Sequence, residues 1–423
     1  MVTFATMIKS LIITVLLCLS FKVSAVALPH ENTYADSASY RVSLLTCSPG
    51  EDLYSMFGHS GIRLRNNVTG EDLVFNYGMF NYDADNFIFR FVRGETDYEL
   101  GVEYAEDFFW RYGVRKHGVV EQELDLTDKQ KRKLVLLLYD NYRPENRVYR
   151  YNFLYDNCTT RARDVIEKSV SEDGGGVEYL IESDSVSFRT ILHGFTGVYP
   201  WVEFGIDMLL GAEVDRIANR RESMFIPSYY KKDVDGATVV YVDGTTCDKR
   251  LVKNASEVLT DKIVHEETSF LLTPIFVFWF MFAAILIISF IDIRRCRSTW
   301  WVDLILLTVQ GLAGVIIAFL FFFSEHPAVG TNWLVVVFNP LPLLLMFWII
   351  NSRRKCQSCW LSTAYLAVMS LFVLSIPFIP QVLNPAMIPL VLILLLRAVS
   401  GEFVVRRRLG HVILTQAVNN KIS

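Results

Sequence analysis

A thiol nucleophile needs a base to take its proton, a polar group to hold that base's ring, and surroundings that favour thiolate over thiol. One stretch of the chain meets the last condition by position. In Tyr151–Ile166, "YNFLYDNCTTRARDVI", aromatic strand-like residues run into Asp156-Asn157, and a helix opens at once with Cys158 in its first turn. Asp and Asn are good N-cap types, and Ala162, Val165 and Ile166 fall on one side of the helix that follows. The unpaired N–H groups and the positive dipole end of that turn favour the thiolate. A buried structural cysteine is the alternative reading of the same position.

The base must come from the few histidines before residue 268: His30, His59, His117, His193 and His265. His30 and His265 lie at the ends of that region. His117, in "RKHG", and His193, in "RTILHGF", read as solvated side chains. His59 alone stands at the start of a strand with a polar residue across from it. "HSGIRLRNNVTGEDLVFNYG" (59–78) is a hairpin by alternation, with Ile62, Leu64, Leu73 and Phe75 sharing one face. A turn centred near Asn67–Val68 pairs Ile62 with Leu73 and Ser60 with Phe75, and sets His59 opposite Asn76. A register slip of two would leave His59 and Asn76 diagonal but still neighbours. A lone strand histidine is also compatible with a purely structural role.

The elements that position these residues follow in order. "YRVSLLTCSPG" (40–50) is a strand ended by Pro-Gly, and residues 79–118 read as short helices and loop covering the hairpin. "LTDKQKRKLVLLLYDNYRPENR" (126–147) is an amphipathic helix capped at Thr127-Asp128 and ended before Pro144. "SEDGGG" (171–176) reads as a flexible surface loop, and "ATVVYVDG" (237–244) as the clearest strand of an otherwise unordered stretch.

The 423 residues allow two or three domains, and the 52% hydrophobic content is concentrated after residue 268. A net charge of −4, with no basic stripe in the first 260 residues, gives no reason to expect nucleic acid. Seven cysteines do not make a disulfide scaffold. Residues 1–27 read as a signal peptide: Lys9, the apolar run "LIITVLLCLSF", then "VSAVA" for cleavage. An uncleaved anchor is the alternative. Cys18 follows two leucines and lacks the small residue that lipid modification requires.

Apolar segments at about 270–291, 300–323, 333–350, 360–379 and 386–404 each approach the length of a bilayer crossing. Arg294, Arg295, Arg297, Arg353, Arg354, Lys355 and Arg406–Arg408 mark alternate ends, while "SEHPAVGTN" and "IPQVLNP" carry no Lys or Arg. The positive-inside rule puts the marked ends in the cytoplasm. Residues 28–268 are therefore an exported, periplasmic domain, and 269–423 a transmembrane domain with five helices and a cytoplasmic tail. Cys356-Gln-Ser-Cys359 is a lone C-x-x-C without further ligands, so no metal site is expected there.

"FGHSGIRL" followed by "YDNCTTRARDVI" resembles the circularly permuted papain-like enzymes, the lecithin:retinol acyltransferase group among them. The fuller resemblance is to the Lnb-type bacterial lipoprotein N-acyltransferase family. It rests on "HSGIR" (59–63), "FNYGMF" (75–80), "ENRVYRYNFLYDNCTT" (145–160) and "HPAVGTNWLVVVFNPL" (326–341), in that order, over nearly the whole chain. Asp156 departs from the Asn expected in many relatives, but Asn157-Cys158 is intact.

The resemblance implies an α+β fold: a circularly permuted papain-like exported domain followed by an all-α five-helix transmembrane domain in the bacterial inner membrane. It implies acyl transfer without a cofactor, with Cys158 as nucleophile, His59 as base and Asn76 as orienting group. The acyl donor would be a membrane phospholipid or a lipoprotein, the acceptors diacylglyceryl lipoproteins, and the lipid bilayer the third partner. His326, Asn157 and Tyr77 complete the expected site as substrate-contacting residues. For His326 the plainer reading is a helix end followed by a turn. A cell-wall peptidase or amidase of the same permuted class, or a non-enzymatic receptor or assembly factor, are the competing readings. A catalytic Cys158 must stay reduced, which leaves Cys47 and Cys247 free to pair in an oxidising compartment.

Overall fold

The computed structural model describes residues 39–80, 86–179, 186–241, 249–263, 268–355 and 357–422. The expected signal peptide, His30, His265 and Cys247 lie outside these residues. The described chain forms two compact units, the first from residues before 186 together with 218–263, the second from 186–217 together with 268–422.

The first unit is built on a seven-stranded antiparallel sheet in the order β10-β5-β1-β2-β3-β4-β6. Its strands are β1 (Tyr40–Cys47), β2 (His59–Asn66), β3 (Asp72–Met79), β4 (Asp97–Tyr104), β5 (Val119–Leu124), β6 (Val148–Arg150) and β10 (Val252–Leu259). A smaller sheet joins β7 (Gly175–Glu178), β8 (Thr238–Tyr241) and β9 (Lys249–Arg250). The main sheet is covered on both faces, which explains why β1 is buried almost throughout. Tyr40, Val42 and Leu44 join the larger core with Ile62, Leu64, Leu73 and Phe75, while Leu45 and Cys47 turn to a second core around Phe108. Burying a side chain such as Ile62 or Leu64 contributes about 1.5–3 kcal/mol.

Helix α3 (Asp128–Tyr142) and helix α4 (Cys158–Val170) lie over the larger core. The expected cap of α3 is present in full: Thr127 and Gln130 form a reciprocal capping box. The opposite face is covered by α2 (Ala105–Val114).

The hairpin register differs from the expected one by two residues. Ile62 pairs with Phe75 and Leu64 with Leu73. The cause is the turn. Asn66 Oδ1 accepts from the N–H groups of Val68 and Thr69 at 2.9 and 3.0 Å, and Gly70, at φ +77°, returns its N–H to the Asn66 carbonyl. This Asx-type turn spends two more residues than the tight turn expected. Two further expectations fail locally. Residues 79–118 contain α1 (Phe87–Arg93) but also the full strand β4, whose Gly101 interrupts the alternation by which strands are recognised. "SEDGGG" is a 3-10 turn, Ser171–Asp173, that leads directly into β7.

The second unit holds five helices long and apolar enough to cross a membrane, at Pro274–Arg295, Trp300–Phe323, Trp333–Lys355, Trp360–Phe378 and Met387–Gly410. The fold is thus α+β, a sheet-rich N-terminal domain followed by a bundle of five apolar helices. The segment 186–217, expected within the exported domain, packs with this bundle. It forms α5 (Phe188–Thr196) and α6 (Pro200–Leu209) and is tied to the two connections free of Lys and Arg. Asn332 Nδ2 donates to the Met208 carbonyl at 2.7 Å, Gln381 Nε2 to Leu210 at 2.9 Å, and Asn384 Nδ2 to Asp207 at 2.9 Å. At the other end of the bundle Arg397 is buried between Asp303, at 2.7 Å, and Asp292, at 3.0 Å. A charge in that position is tolerable only because it is paired.

Candidate functional site

Cys158 is the first residue of α4. Its neighbour Asn157 caps the helix, accepting from the N–H groups of Thr159 at 2.9 Å and Thr160 at 3.0 Å, while Thr160 Oγ1 accepts from the Asn157 N–H at 2.8 Å. The Arg161 N–H goes to the Asn157 carbonyl. Among the described residues, no hydrogen bond takes the N–H of Cys158, so one first-turn donor stays open beside the thiol.

The sheet brings His59 to that thiol. His59 starts β2, next to Cys47 of β1. One step beyond the Ile62–Phe75 pair, Asn76 faces Gly61, where a methyl would stand 3.1 Å from Asn76 Oδ1. The glycine therefore leaves room for the amide to lean along the strand to His59, whose Nε2 lies 3.1 Å from Asn76 Oδ1. The slipped register thus makes the diagonal contact rather than the direct one.

The protonation pattern follows from the next partner. Asn76 Nδ2 donates to Glu103 Oε1 at 2.7 Å, and a carboxylate can only accept, so the amide oxygen must face His59. His59 Nε2 then carries the proton and Nδ1 is the ring atom left for Cys158. Glu103 is itself held by Arg111 of α2. Burial raises the Glu103 carboxyl above its usual range even so, with Arg111 opposing.

Burial by itself would push the Cys158 thiol up and the His59 imidazole down. Their mutual attraction and hydrogen bond outweigh this, so the thiol lies below its ordinary range and the imidazole above its own. The Ser60 N–H and the Thr159 hydroxyl, 3.8 Å from Sγ, add donors to the sulfur. Thr159 Oγ1 also lies 3.1 Å from Ser60 Oγ, pinning the helix start to the strand start. Both shifts favour the thiolate–imidazolium form of the pair, the form competent for attack on a carbonyl.

Of the expected residues, Cys158, His59 and Asn76 are brought together. Asn157 and Tyr77 are held within the fold. Asn157 is buried, and its Nδ2 donates to the carbonyls of Phe153 at 2.7 Å and Phe225 at 2.9 Å, so its whole amide is spent on the helix cap. Tyr77 is 1% exposed in the core, where its hydroxyl accepts from Asn141 at 2.7 Å. His326 belongs to the second unit, where it precedes the 3-10 turn Pro327–Val329. Cys47 is a free, buried thiol beside Tyr112, and burial pushes it up, out of the reactive range.

Glu103, Arg111 and Thr159 escaped sequence reasoning. The signal for Glu103 was present, since Glu103 and Gly101 occupy one face of "DYELGVEY", but only the paired sheet shows which face meets Asn76. His117 and His193 are also not the solvated side chains expected. His117 is buried, with Nδ1 3.1 Å from the Ser48 carbonyl, and His193 Nε2 lies 3.0 Å from Asp207. His193, Glu203 and Asp207 bring potential metal-ligand atoms within 4.8 Å of one another. Both Asp207 oxygens, however, already accept from Arg189, His193 and Asn384, which suits a structural cluster better than a cation site.

The chain was compared with known families and proteins. The family model for the Lnb N-terminal periplasmic domain matches residues 29–192, and that for the Lnb transmembrane domain matches residues 265–408. No curated protein and no solved structure matches. The two models follow one another in chain order, one over the sheet and its Cys158 helix, the other over the apolar helices. The chain therefore belongs to the Lnb-type family, as a multi-pass membrane protein with a periplasmic N-terminal domain.

Proposed function

We propose that this protein is a thiol N-acyltransferase of the bacterial inner membrane that completes lipoproteins by acylating their N-terminal amine. The observation that carries the reading is the Cys158–His59–Asn76 arrangement, in which a thiol at a helix start, shifted toward thiolate, meets an imidazole held by an amide. What supports the lipid substrate is that the same chain carries five membrane-spanning helices, which a soluble-substrate peptidase does not require.

In the first half-reaction Cys158 Sγ attacks an ester carbonyl of a phospholipid or lipoprotein donor. The carbonyl π pair moves to oxygen, where the open Cys158 N–H is placed to receive it. Collapse re-forms the C=O bond and breaks the ester C–O bond; the leaving alkoxide takes the His59 proton and departs as an alcohol, leaving a thioester. In the second half-reaction the free amine of a diacylglyceryl-cysteine attacks the thioester and gives its proton to His59. The C–S bond breaks, an amide forms, and the thiolate–imidazolium pair is restored. Asn76, backed by Glu103 and Arg111, keeps Nδ1 aimed at the sulfur throughout.

The test is mass spectrometry of lipoprotein N-termini in cells with the wild-type protein, with Cys158→Ser, and without the protein. N-acylated termini should appear with wild type only. Equal N-acylation in all three would overturn the reading.

A further inference from the structure

A polar group beside Cys158 has no role in the steps above. Tyr149 is 7% exposed, and among the described residues its hydroxyl has no hydrogen-bond partner. A buried hydroxyl left unpaired costs about 1–3 kcal/mol, so its retention calls for a ligand that completes it. Gly78 marks where the phenol comes close to Cys158. At φ +83°, it presents a bare backbone from which a methyl would stand 3.5 Å from Cys158 Cβ and 3.8 Å from the Tyr149 hydroxyl. The thiol-bearing carbon, the phenol and the Tyr151 ring, whose Cε2 would stand 3.6 Å from that methyl, thus flank the same bare backbone position.

The ring is firmly held. Tyr77 packs edge-on at 6.4 Å between centroids, and the Arg161 guanidinium lies 3.6 Å over the ring centroid. Arg161 is fixed in turn by two bonds to Asp156, at 2.6 and 2.7 Å. Burial and the neighbouring Cys158 charge raise the phenol well above its usual range, so it stays protonated and can only donate to an anion.

We propose that Tyr149 is a catalytic residue whose hydroxyl donates a hydrogen bond to the acyl carbonyl oxygen as Cys158 adds to it, sharing the oxyanion with the Cys158 N–H. The inference rests on the reading of Cys158 as the acyl-accepting thiol. No proton is transferred to the oxygen. The Sγ–C bond forms, the π pair moves onto the oxygen and is held by the two donors, and the pair returns when the leaving group departs with the His59 proton.

The experiment compares wild type and Tyr149→Phe, as full chains in detergent, with two acyl donors: phosphatidylethanolamine vesicles and p-nitrophenyl butyrate. Acyl-Cys158 is followed by intact mass, iodoacetamide alkylation of Cys158 is followed against pH, and the thermal midpoint is recorded. Loss of one oxyanion donor should slow acylation by about 100-fold. Alkylation and thermal midpoint should not change, because the hydroxyl bonds neither sulfur nor structure. Acylation at the wild-type rate would overturn the proposal, as would a parallel fall in alkylation, which would place Tyr149 on the thiol instead. Adducts from the nitrophenyl ester but not from phospholipid, with Tyr149→Phe slower, would uphold Tyr149 and overturn the lipid donor. An unlabelled wild-type Cys158 with both donors would overturn both readings.

Discussion

Two histidine-centred polar clusters among the described residues differ in what is left unfinished. In the second unit, Arg189 donates to Asp215 and Asp207, each at 2.6 Å, and to the Gly211 carbonyl at 3.1 Å. Asp207 also takes His193 and Asn384, and the Val382 N–H closes onto Asp215. These bonds stitch α5 and α6 to the connection before the last membrane helix, and the groups are spent on one another. In the first unit, His59, Asn76, Glu103 and Arg111 form a comparable chain, yet it ends on the Cys158 thiol, with an open N–H and a phenol that is unpaired among the described residues beside it. A satisfied polar network stabilises one arrangement, whereas an incomplete one stores binding capacity for a ligand.

Four measurements can break or sharpen this contrast. The largest effect should come from His59→Ala, with acyl transfer down by about four orders of magnitude, ~5.5 kcal/mol in the barrier, at little cost in stability. The same variant should move Cys158 alkylation to higher pH, because the thiol is held low by His59. In wild type, transfer should fall as pH drops through the lowered thiol value and again as it rises through the raised His59 value. Alkylation should fall only on the acid side. A His59→Ala protein that alkylates with the wild-type pH profile would dissolve the pair.

Arg189→Ala should act on the other side of the comparison. It leaves Asp207 and Asp215 buried without their cation, which costs about 3–5 kcal/mol. Thermal unfolding would register this as a lowered midpoint, while Cys158 alkylation in the folded fraction should stay at the wild-type rate. A stable Arg189→Ala protein would remove the structural reading of this cluster.

Asn76→Ala should lower transfer by about 100-fold through a misaimed imidazole, ~2.7 kcal/mol, without abolishing it. Loss as deep as that of His59→Ala would mean that Asn76 does more than orient.

The smallest effect is expected for His193→Gln. Hydrogen bonding and charge from Asp207 raise the His193 imidazole above its ordinary value. Its contribution is therefore full below the unfolded value and lost as pH rises through the folded one. With the His193 side chain 34% exposed, solvent screening holds this to the order of 1 kcal/mol or less. The midpoint difference from wild type should shrink between pH 5.5 and pH 9, and a constant difference would exclude the ion pair.

The parts of the protein legible from sequence are those set by local rules. The five apolar spans follow from segment length, their orientation from Arg and Lys at alternate ends, and the α3 cap from Thr127 and Gln130 three residues apart. Cys158 was readable because Asn157 is a strong N-cap, and His59 and Asn76 because strand alternation places polar residues at a hairpin's end. The rest depended on contacts between segments distant in sequence. The Asx turn at Asn66 changed the register by two, and only the folded strands show that Gly61 yields the space through which Asn76 still reaches His59. Glu103 and Arg111 entered through β4 and α2, and Tyr77 turned into the core, where its hydroxyl accepts from Asn141. Tyr149 reads in sequence like any other strand aromatic. Burial and the absence of a partner single it out, and both are properties of the assembled site, since they depend on how β6, α4 and Gly78 meet in space.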